Sequence, residues 1–381
     1  MEIHGFCAPG FEPLFDTFAA NFRECGDSGA AFAVRQYGEP IVSLWAGSAD
    51  REGKAPYTED TLANVFSSSK GVLALLALRQ VAAGKLDLDR PVADYWPEFA
   101  AAGKEKITAR QLLCHRAGLV AFREKVADGL IYDWAGACAQ VAATEPWWLP
   151  GSHQGYAPFL YGWSVGGLLE RASSTPLPEL YRRGLAEPLE LDGGFGANGH
   201  RSGRIADVGP LKQPLPELRE NAIGRAIKED RQGPVATAFT NPVSLMMGTN
   251  SAEWRAAMIP AANGHFSARD LAAIYGDLAA DEPATLSKEL VEEAAREQSC
   301  GRDAILQAEV SFGCGFIRSG SAADLRFGGE RGFGHPGAGG SVGFADPECG
   351  VGCGYVTTRL GQSLFMDRRS VRLVEQLYRL L

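Results

Sequence analysis

The sequence has few features that would place the protein in a membrane or on a nucleic acid. Its 381 residues include no run of about 18 apolar residues, and Met1–Cys7 lacks the basic start and apolar stretch of an export signal. Basic residues number 37 against 46 acidic ones, with no basic cluster, which gives a net charge of −9. These absences predict a cytoplasmic protein with no membrane or nucleic-acid partner.

Metal-binding cysteine patterns are absent as well. The eight cysteines show no C-x-x-C spacing and have no histidine companions at zinc-finger intervals. They lie at positions 7, 25, 114, 138, 300, 314, 349 and 353. We therefore expect reduced cysteines in the core, and neither a metal site nor a cofactor.

The two ends of the chain carry the strand signals. Residues 8–25 have phenylalanines at helical spacing, and the apolar runs Ala30–Gln36 and Ile41–Trp45 flank a turn, which predicts a helix and then a hairpin. Strand-like runs return at Ala308–Phe316 and Gly350–Thr357, before a closing amphipathic helix.

The middle of the chain is different, because alanine-rich helical patterns alternate there with Pro/Gly loops. The fold class we expect is α/β (α+β), with a helix-flanked antiparallel sheet built from both chain ends. Residues 1–75 and 300–381 would form the sheet domain and residues 76–299 an inserted, mainly helical domain. The active site would lie between the two domains.

The stretch Ala63–Val72, ANVFSSSKGV, places a lysine at the start of an apolar helix. Ser67 and Lys70 are three residues apart and therefore share a helix face, so the amine can contact the hydroxyl. A serine needs a base, and a lysine can act as one when burial and the positive end of the helix lower its pKa. The helix end also offers the N–H of Ser67 to a developing oxyanion. The S-x-x-K match alone is weak, but a buried lysine without a role would be costly.

Two further segments extend this pattern. Gly84–Val92 reads GKLDLDRPV and Leu112–Leu119 reads LLCHRAGL. In content and order the three segments resemble the serine β-lactamase-like superfamily, nearest its class C and family VIII carboxylesterase branches and related penicillin-binding-protein-like hydrolases. The resemblance covers nearly the whole chain. It implies a β-lactamase-like fold in which Ser67 is the acylated nucleophile and Lys70 its base.

The superfamily's second motif begins with a tyrosine. By resemblance this is Tyr156, which would share a proton with Lys70 either as a tyrosinate or as a relay. Tyr161 is the alternative assignment, and a packed loop anchor is the alternative role for Tyr156. Two residues after the tyrosine, where β-lactamases usually have asparagine, this chain has Pro158.

The third motif, K-T-G in β-lactamases, is matched by His335-Pro336-Gly337, so the lysine is missing as in many esterase members. The resemblance implies that an edge strand presents the N–H of Ala338 as the second oxyanion donor. His335 and Gly337 would then lie at the substrate, although His335 could instead cap the loop.

Two aromatic side chains near Tyr156 are further candidates. Trp148, beside Trp147, would line an acyl pocket, although paired tryptophans are as often plain core. His153 lies three residues before Tyr156 and is a candidate substrate-binding residue.

Two G-x-S-x-G matches, around Ser164 and Ser341, would suggest an α/β-hydrolase nucleophile. The first follows a Pro/Gly loop instead of a strand, and the second has no histidine after it, so neither fits that fold.

We expect a serine hydrolase acting on a small-molecule ester with a short acyl chain. Hydrolysis of a β-lactam or a D-amino-acid peptide is the second hypothesis, and a non-catalytic binding protein is the third. The sequence does not predict the oligomeric state.

Overall fold

The computed structural model describes residues 2–196, 203–216, 221–246, 248–320 and 322–381. Helices and strands within these ranges are numbered in chain order. The α-helices are α1 (Pro13–Glu24), α2 (Ser69–Ala82), α3 (Ala109–Leu113), α4 (Trp134–Ala143), α5 (Leu160–Ser173), α6 (Leu177–Tyr181), α7 (Ala222–Glu229), α8 (Pro234–Thr240), α9 (Ala252–Ala256), α10 (Ala268–Leu278), α11 (Lys288–Ala295) and α12 (Arg368–Leu380). The strands are β1 (Ile3–Cys7), β2 (Gly29–Gln36), β3 (Glu39–Gly47), β4 (Ala63–Asn64), β5 (Gly194–Phe195), β6 (Gly209–Pro210), β7 (Gly264–Phe266), β8 (Ser299–Arg302), β9 (Glu309–Phe312), β10 (Ile317–Arg318), β11 (Phe333–Pro336), β12 (Val342–Asp346), β13 (Val351–Thr357) and β14 (Arg359–Leu360).

Nine strands form the main sheet, which joins both ends of the chain as the sequence predicts. Its order is β1-β3-β2-β13-β12-β11-β10-β9-β8, and every neighbouring pair is antiparallel. At the centre β2 pairs with β13, with Phe32 opposite Tyr355. The two chain ends therefore depend on each other for their backbone hydrogen bonds.

Both faces of this sheet are covered by helices, which explains why β2 is apolar along most of its length. Phe32 and Val34 point into the core beneath α1 and α12, while Ala31 and Ala33 point to the face that α10 covers. Successive side chains of a strand alternate between faces, so a strand buried on both sides needs apolar residues at every position.

Helix α10 approaches the sheet so closely that the strand beneath it has glycine. A Cβ on Gly352 of β13 would lie 2.0 Å from the backbone nitrogen of Gly276 in α10. The predicted domain limits assign α10 to the helical part, whereas the structure packs it on the sheet. The alanine-rich character of α10 did not distinguish a helix that covers a sheet from one that packs on other helices.

The mainly helical part surrounds α2. Ser69–Leu78 of this helix is completely buried, and α2 packs along α5. Helix α3 begins with the predicted capping box, in which Thr108 and Gln111 bond each other's backbone N–H groups.

Several elements differ from the sequence-based expectation. Helix α1 begins at Pro13, not at residue 8, because proline at the first helical position has no N–H to lose; residues 3–7 instead form the edge strand β1. The run Ala308–Phe316 is broken after Phe312 by a turn with Gly315 at a φ of 83°. Strands β8 and β12 were not predicted.

All eight cysteines are free thiols, and five of them are buried. Cys300 is exposed, so the expectation of core cysteines is wrong at that position. No helix in the described ranges combines the length and the apolar character needed to cross a membrane. The cytoplasmic location stays a prediction.

A buried ion-pair cluster fastens α12 to the rest of the sheet domain. The guanidinium of Arg369, which has no exposed surface, donates to Asp27 and Asp367, both at 2.6 Å. It also donates to the carbonyl oxygen of Gly339 at 2.6 Å, and Asp27 accepts from the hydroxyl of Tyr355. One cation therefore compensates two buried carboxylates and holds the loop after β11.

Replacing Arg369 with methionine should lower the free energy of unfolding by about 3–5 kcal/mol, because Asp27 and Asp367 would remain buried without their cation. The shift in the midpoint of urea denaturation measures this loss. The matched control is Arg372→Met on the same helix, which breaks a partly exposed pair with Glu24 and a weak contact with the Cys25 Sγ and should cost at most about 1 kcal/mol. Equal effects of the two substitutions would show that the cluster does not stabilise the fold.

Candidate active site

The entrance to α2 brings three serines into three different environments. A single 3-10 turn, Phe66–Ser68, precedes the helix, and Phe66 has a φ of 45°, which is strained for a bulky side chain. Ser68 donates its hydroxyl to the carbonyl of His335 at 3.0 Å, and the hydroxyl of Ser69 accepts from the N–H of Gly264 at 3.0 Å. Ser67 lines a pocket. Its two neighbours fix the turn that presents it.

Lys70 lies beneath Ser67 and is completely buried. Its Nζ is 3.1 Å from the Ser67 Oγ, 2.8 Å from the carbonyl oxygen of Pro158 and 3.0 Å from that of Ala261. It also lies 4.7 Å from the ring centroid of Tyr156. The predicted contact between amine and hydroxyl is thus present.

Burial, not the number of contacts, favours an uncharged amine here, since three acceptors would also satisfy the three N–H groups of an ammonium. A neutral lysine has two N–H donors, which the carbonyls of Pro158 and Ala261 accept, and one lone pair, which then faces the Ser67 hydroxyl. Burial lowers the pKa of Lys70 well below its ordinary value of 10.5. The two carbonyls therefore orient the lone pair for accepting the serine proton.

Tyr156 completes the group. Its hydroxyl hydrogen-bonds Ser67, and burial raises the pKa of this phenol above its ordinary value of 10.0. The structure thus favours a neutral tyrosine that relays protons over a tyrosinate. Tyr161, the alternative, is buried 5.0 Å from the His115 ring and is not among the residues that line the pocket.

Asp303 holds Tyr156 in place, and sequence reasoning missed it. Its buried carboxylate accepts the backbone N–H of Tyr156 at 2.9 Å and those of Ile305 and Leu306 at 2.9 and 2.8 Å. Burial raises the pKa of Asp303, an effect that these N–H donors oppose. An aspartate 147 residues from the tyrosine gives no local signal; only the tertiary fold brings the two together.

The third motif faces Ser67 from the end of β11. A Cβ on Gly337 would lie 2.1 Å from the carbonyl oxygen of Val65, so glycine is needed for this close approach. An edge strand was expected here, but β11 pairs with both β12 and β10. However, β10 reaches only Phe333 and Gly334, because it is two residues long. Residues 335–338 are therefore left unpaired by β10 on the side of the pocket, and Ala338 lines that pocket beside Ser67.

His335 is buried with its ring in the pocket lining. Its Nδ1 lies 2.7 Å from the carbonyl oxygen of Pro336, to which it donates, and its buried Nε2 has no partner among the residues that the structure describes. Burial, the largest cause, lowers the pKa of His335 to about 3, and a proton on Lys70 would add to this effect. Nε2 is therefore an uncharged acceptor.

His115 lies behind Tyr156 at a ring distance of 4.8 Å. Its Nδ1 accepts the N–H of Ala157 at 3.2 Å, and burial lowers the pKa of His115 well below 6.5. This neutral ring supports the loop that carries Tyr156.

Four other candidates lie elsewhere. His153 is exposed and bonds Ser152, and Trp148 packs against Gly155; neither belongs to the pocket lining. Ser164 is buried within α5, where it donates to the carbonyl of Leu160, and Ser341 is buried after β11. The structure thus brings together Ser67, Lys70, Tyr156, His335 and Ala338, but not Trp148, His153, Ser164 or Ser341.

Comparisons with known proteins bear on the family and the fold. The model of the β-lactamase family matches residues 18–376. The chain is 32% identical over 379 residues to the esterase/β-lactamase LipL of Mycobacterium tuberculosis, a match that covers 96% of this chain and 85% of LipL. Among solved structures it resembles a penicillin-binding protein homologue from Caulobacter crescentus (38% identity, TM-score 0.90) and a family VIII carboxylesterase (34% identity, TM-score 0.90), each over 100% of both chains. These matches confirm the predicted fold class.

If neutral Lys70 is the base for Ser67, turnover should rise with pH and reach half its maximum well below pH 10.5, because the neutral fraction of the amine grows as pH passes its lowered pKa. Tyr156 has a raised pKa, and His115 and His335 have lowered ones, so none of the three should add an ionisation near neutral pH. The measurement is kcat for 4-nitrophenyl acetate from pH 5 to pH 10.

Lys70→Arg tests the same point with a basic side chain that stays protonated. A guanidinium stays protonated and cannot accept the serine proton, so its kcat should fall at least about a hundredfold, nearly as far as in Lys70→Ala. Near-normal turnover in Lys70→Arg would show that the lysine acts only through its charge.

Proposed function

This chain belongs to the β-lactamase family, and we propose that it is a serine hydrolase that cleaves small carboxylic esters through an acyl-enzyme on Ser67. The observation that carries the proposal is the buried Lys70 amine, which lies 3.1 Å from the Ser67 hydroxyl, is bonded to two carbonyls and has a pKa lowered by burial. The similarity to proteins named as an esterase and a carboxylesterase supports the ester as the substrate class.

In the acylation step, the Ser67 Oγ attacks the ester carbonyl carbon as Lys70 takes the hydroxyl proton. The carbonyl oxygen becomes an oxyanion, which the backbone N–H groups of Ser67 and Ala338 stabilise. When the C–O bond to the alcohol breaks, the proton passes from Lys70 through Tyr156 to the departing alkoxide. The alcohol leaves, and the acyl group remains bonded to Ser67.

Deacylation repeats these steps with water. The Lys70 and Tyr156 pair accepts a proton from the attacking water and returns it to the Ser67 Oγ when the acyl bond breaks. The products are the carboxylic acid and the free enzyme, so protons balance over the cycle and no cofactor takes part.

The charge state of the site favours an uncharged ester over a β-lactam. Penicillins and cephalosporins carry a carboxylate, and the K-T-G lysine that would pair with it is replaced here by His335, whose pKa is lowered to about 3. A side-chain amide two residues after Tyr156 is also missing, because Pro158 contributes only its carbonyl, and that carbonyl bonds Lys70. β-Lactam or D-amino-acid peptide hydrolysis is the second candidate, and the name of the relative LipL supports its β-lactam part.

The size of the pocket favours a short acyl group. The cavity at Ser67 measures about 40 Å³, and Phe66, Phe159 and Ile317 are among its walls. A long acyl chain would have to displace these buried side chains.

Ser67→Ala should reduce hydrolysis of 4-nitrophenyl acetate at least about a thousandfold, because this serine is the one that contacts the lysine base among the described serines. The control is Ser164→Ala, which removes a hydroxyl within α5, away from the pocket, and should keep most of the activity. Mass spectrometry of the acylated protein would then locate the acyl group on Ser67. Full activity in Ser67→Ala would end the proposal.

Substrate preference gives a second test. We expect a higher kcat/KM for 4-nitrophenyl acetate than for the cephalosporin nitrocefin, since His335 supplies no positive charge for the cephalosporin carboxylate. Both reactions release a coloured product and can be followed at one pH. Faster nitrocefin hydrolysis would make β-lactam cleavage the better description.

A further inference from the structure

A second, larger cavity adjoins the pocket at Ser67. It measures about 330 Å³, within the range of volumes found for small-molecule sites, against about 40 Å³ for the pocket itself. Four side chains line both spaces and form their common boundary. They are Phe239, Leu306, Leu364 and Phe365. We call the larger space the outer cavity.

The described walls of the outer cavity are mostly apolar, and several of their polar groups are already engaged. Gln307 bonds Arg302 and the carbonyl of Ala304, and Gln362 accepts the N–H of Leu215. Among the described walls, the one ionisable residue, Asp367, is paired with Arg369. The chemistry of these walls therefore suits an uncharged, apolar group.

Helix α7 covers one side of the outer cavity. Ile223 and Ile227, four residues apart, lie on the same face of this helix and belong to the cavity lining. Yet α7 has no fully buried residue of its own. Its apolar face is thus only half covered by the protein, and an apolar ligand in the cavity would complete that burial.

The turn that positions Tyr156 also leads into the outer cavity. Asp303 bonds the N–H of Tyr156, and in the same turn Leu306 lies on the boundary between the two spaces. Tyr156 is the group that gives its proton to the departing alcohol in the proposed reaction. The alcohol part of the ester is therefore expected on the side of this turn, while the acyl group stays in the small pocket, bonded to Ser67.

We propose that the outer cavity binds the alcohol part of the substrate, and that the enzyme acts on esters joining a short acid to a large, uncharged, apolar alcohol. This inference rests on the proposed esterase function. It adds the substrate class, since the small pocket limits the acid and the outer cavity selects the alcohol.

Two series of alkyl esters test the proposal. In the first, acetates of ethanol, butanol, hexanol and cyclohexylmethanol vary only the alcohol, and their leaving groups are similarly basic. In the second, ethyl esters of acetic, butanoic, hexanoic and octanoic acid vary only the acyl chain. Initial rates follow from titration of the released acid at constant pH. We expect kcat/KM to rise at least about tenfold from ethyl to hexyl acetate, mainly through KM, and to fall along the acyl series.

Variants connect this preference to the cavity. Ala308→Trp should fill the space, and Ile227→Asp should place a charge in it from the half-exposed face of α7. Each should lower the ratio of kcat/KM for hexyl over ethyl acetate about tenfold. The matched control is Ala143→Trp, at the exposed end of α4, which should keep the wild-type ratio. Because Ile227 is not buried, its substitution keeps the test possible if Ala308→Trp does not fold.

The outcomes distinguish a failure of the outer-cavity proposal from a failure of the proposed esterase function. If Ser67-dependent hydrolysis occurs but the alcohol series is flat, the outer-cavity proposal is wrong and the esterase function stands. If the two variants alter the acyl preference instead, the cavity holds the acyl chain and the proposal is equally overturned. If wild-type protein hydrolyses no ester in a Ser67-dependent manner, both inferences fall.

Discussion

The site depends on keeping one amine uncharged inside the protein. A lysine at the start of a helix would ordinarily carry a proton, and burial makes that proton costly. The structure buries the Lys70 amine under Tyr156 and gives it two backbone carbonyls and a hydroxyl as partners. Because carbonyls are acceptors, they take up the two N–H groups of the neutral form and leave its lone pair for Ser67.

The elements around Lys70 supply these partners. The carbonyl of Pro158 comes from the loop after Tyr156, and the carbonyl of Ala261 from the segment before β7. Asp303 fixes the first of these segments through the N–H of Tyr156. The lysine thus bonds to parts of the chain that are far apart in sequence.

How much of the candidate site could be predicted from the sequence depended on how far apart in sequence the residues of each contact lie. The contact between Ser67 and Lys70 follows from three-residue spacing on one helix, so local periodicity was sufficient. Tyr156 and Ala338 required the resemblance to a family, because nothing local connects either of them to Ser67. Asp303 was missed altogether, since its contact with Tyr156 exists only in the tertiary structure.

The secondary structure also divides into elements with local sequence signals and elements that depend on the tertiary structure. The hairpin of β2 and β3 and the capping box of α3 carry local signals, and both were predicted. Strands β11 and β12 are short and glycine-containing, and they hold together through their neighbours in the sheet, so their sequences look like loops.

The join between the two chain ends has a consequence for how the protein becomes active during translation. Ser68 bonds the carbonyl of His335, which lies 267 residues later in the chain. Asp27 pairs with Arg369, which lies 342 residues later. At a synthesis rate of about 5–20 residues per second, the nucleophile precedes its facing strand by on the order of tens of seconds. A nascent Lys70 that is still exposed to water keeps its proton and cannot activate Ser67. The ribosome-bound chain should therefore have no hydrolase activity until β11–β13 and α12 have been synthesised.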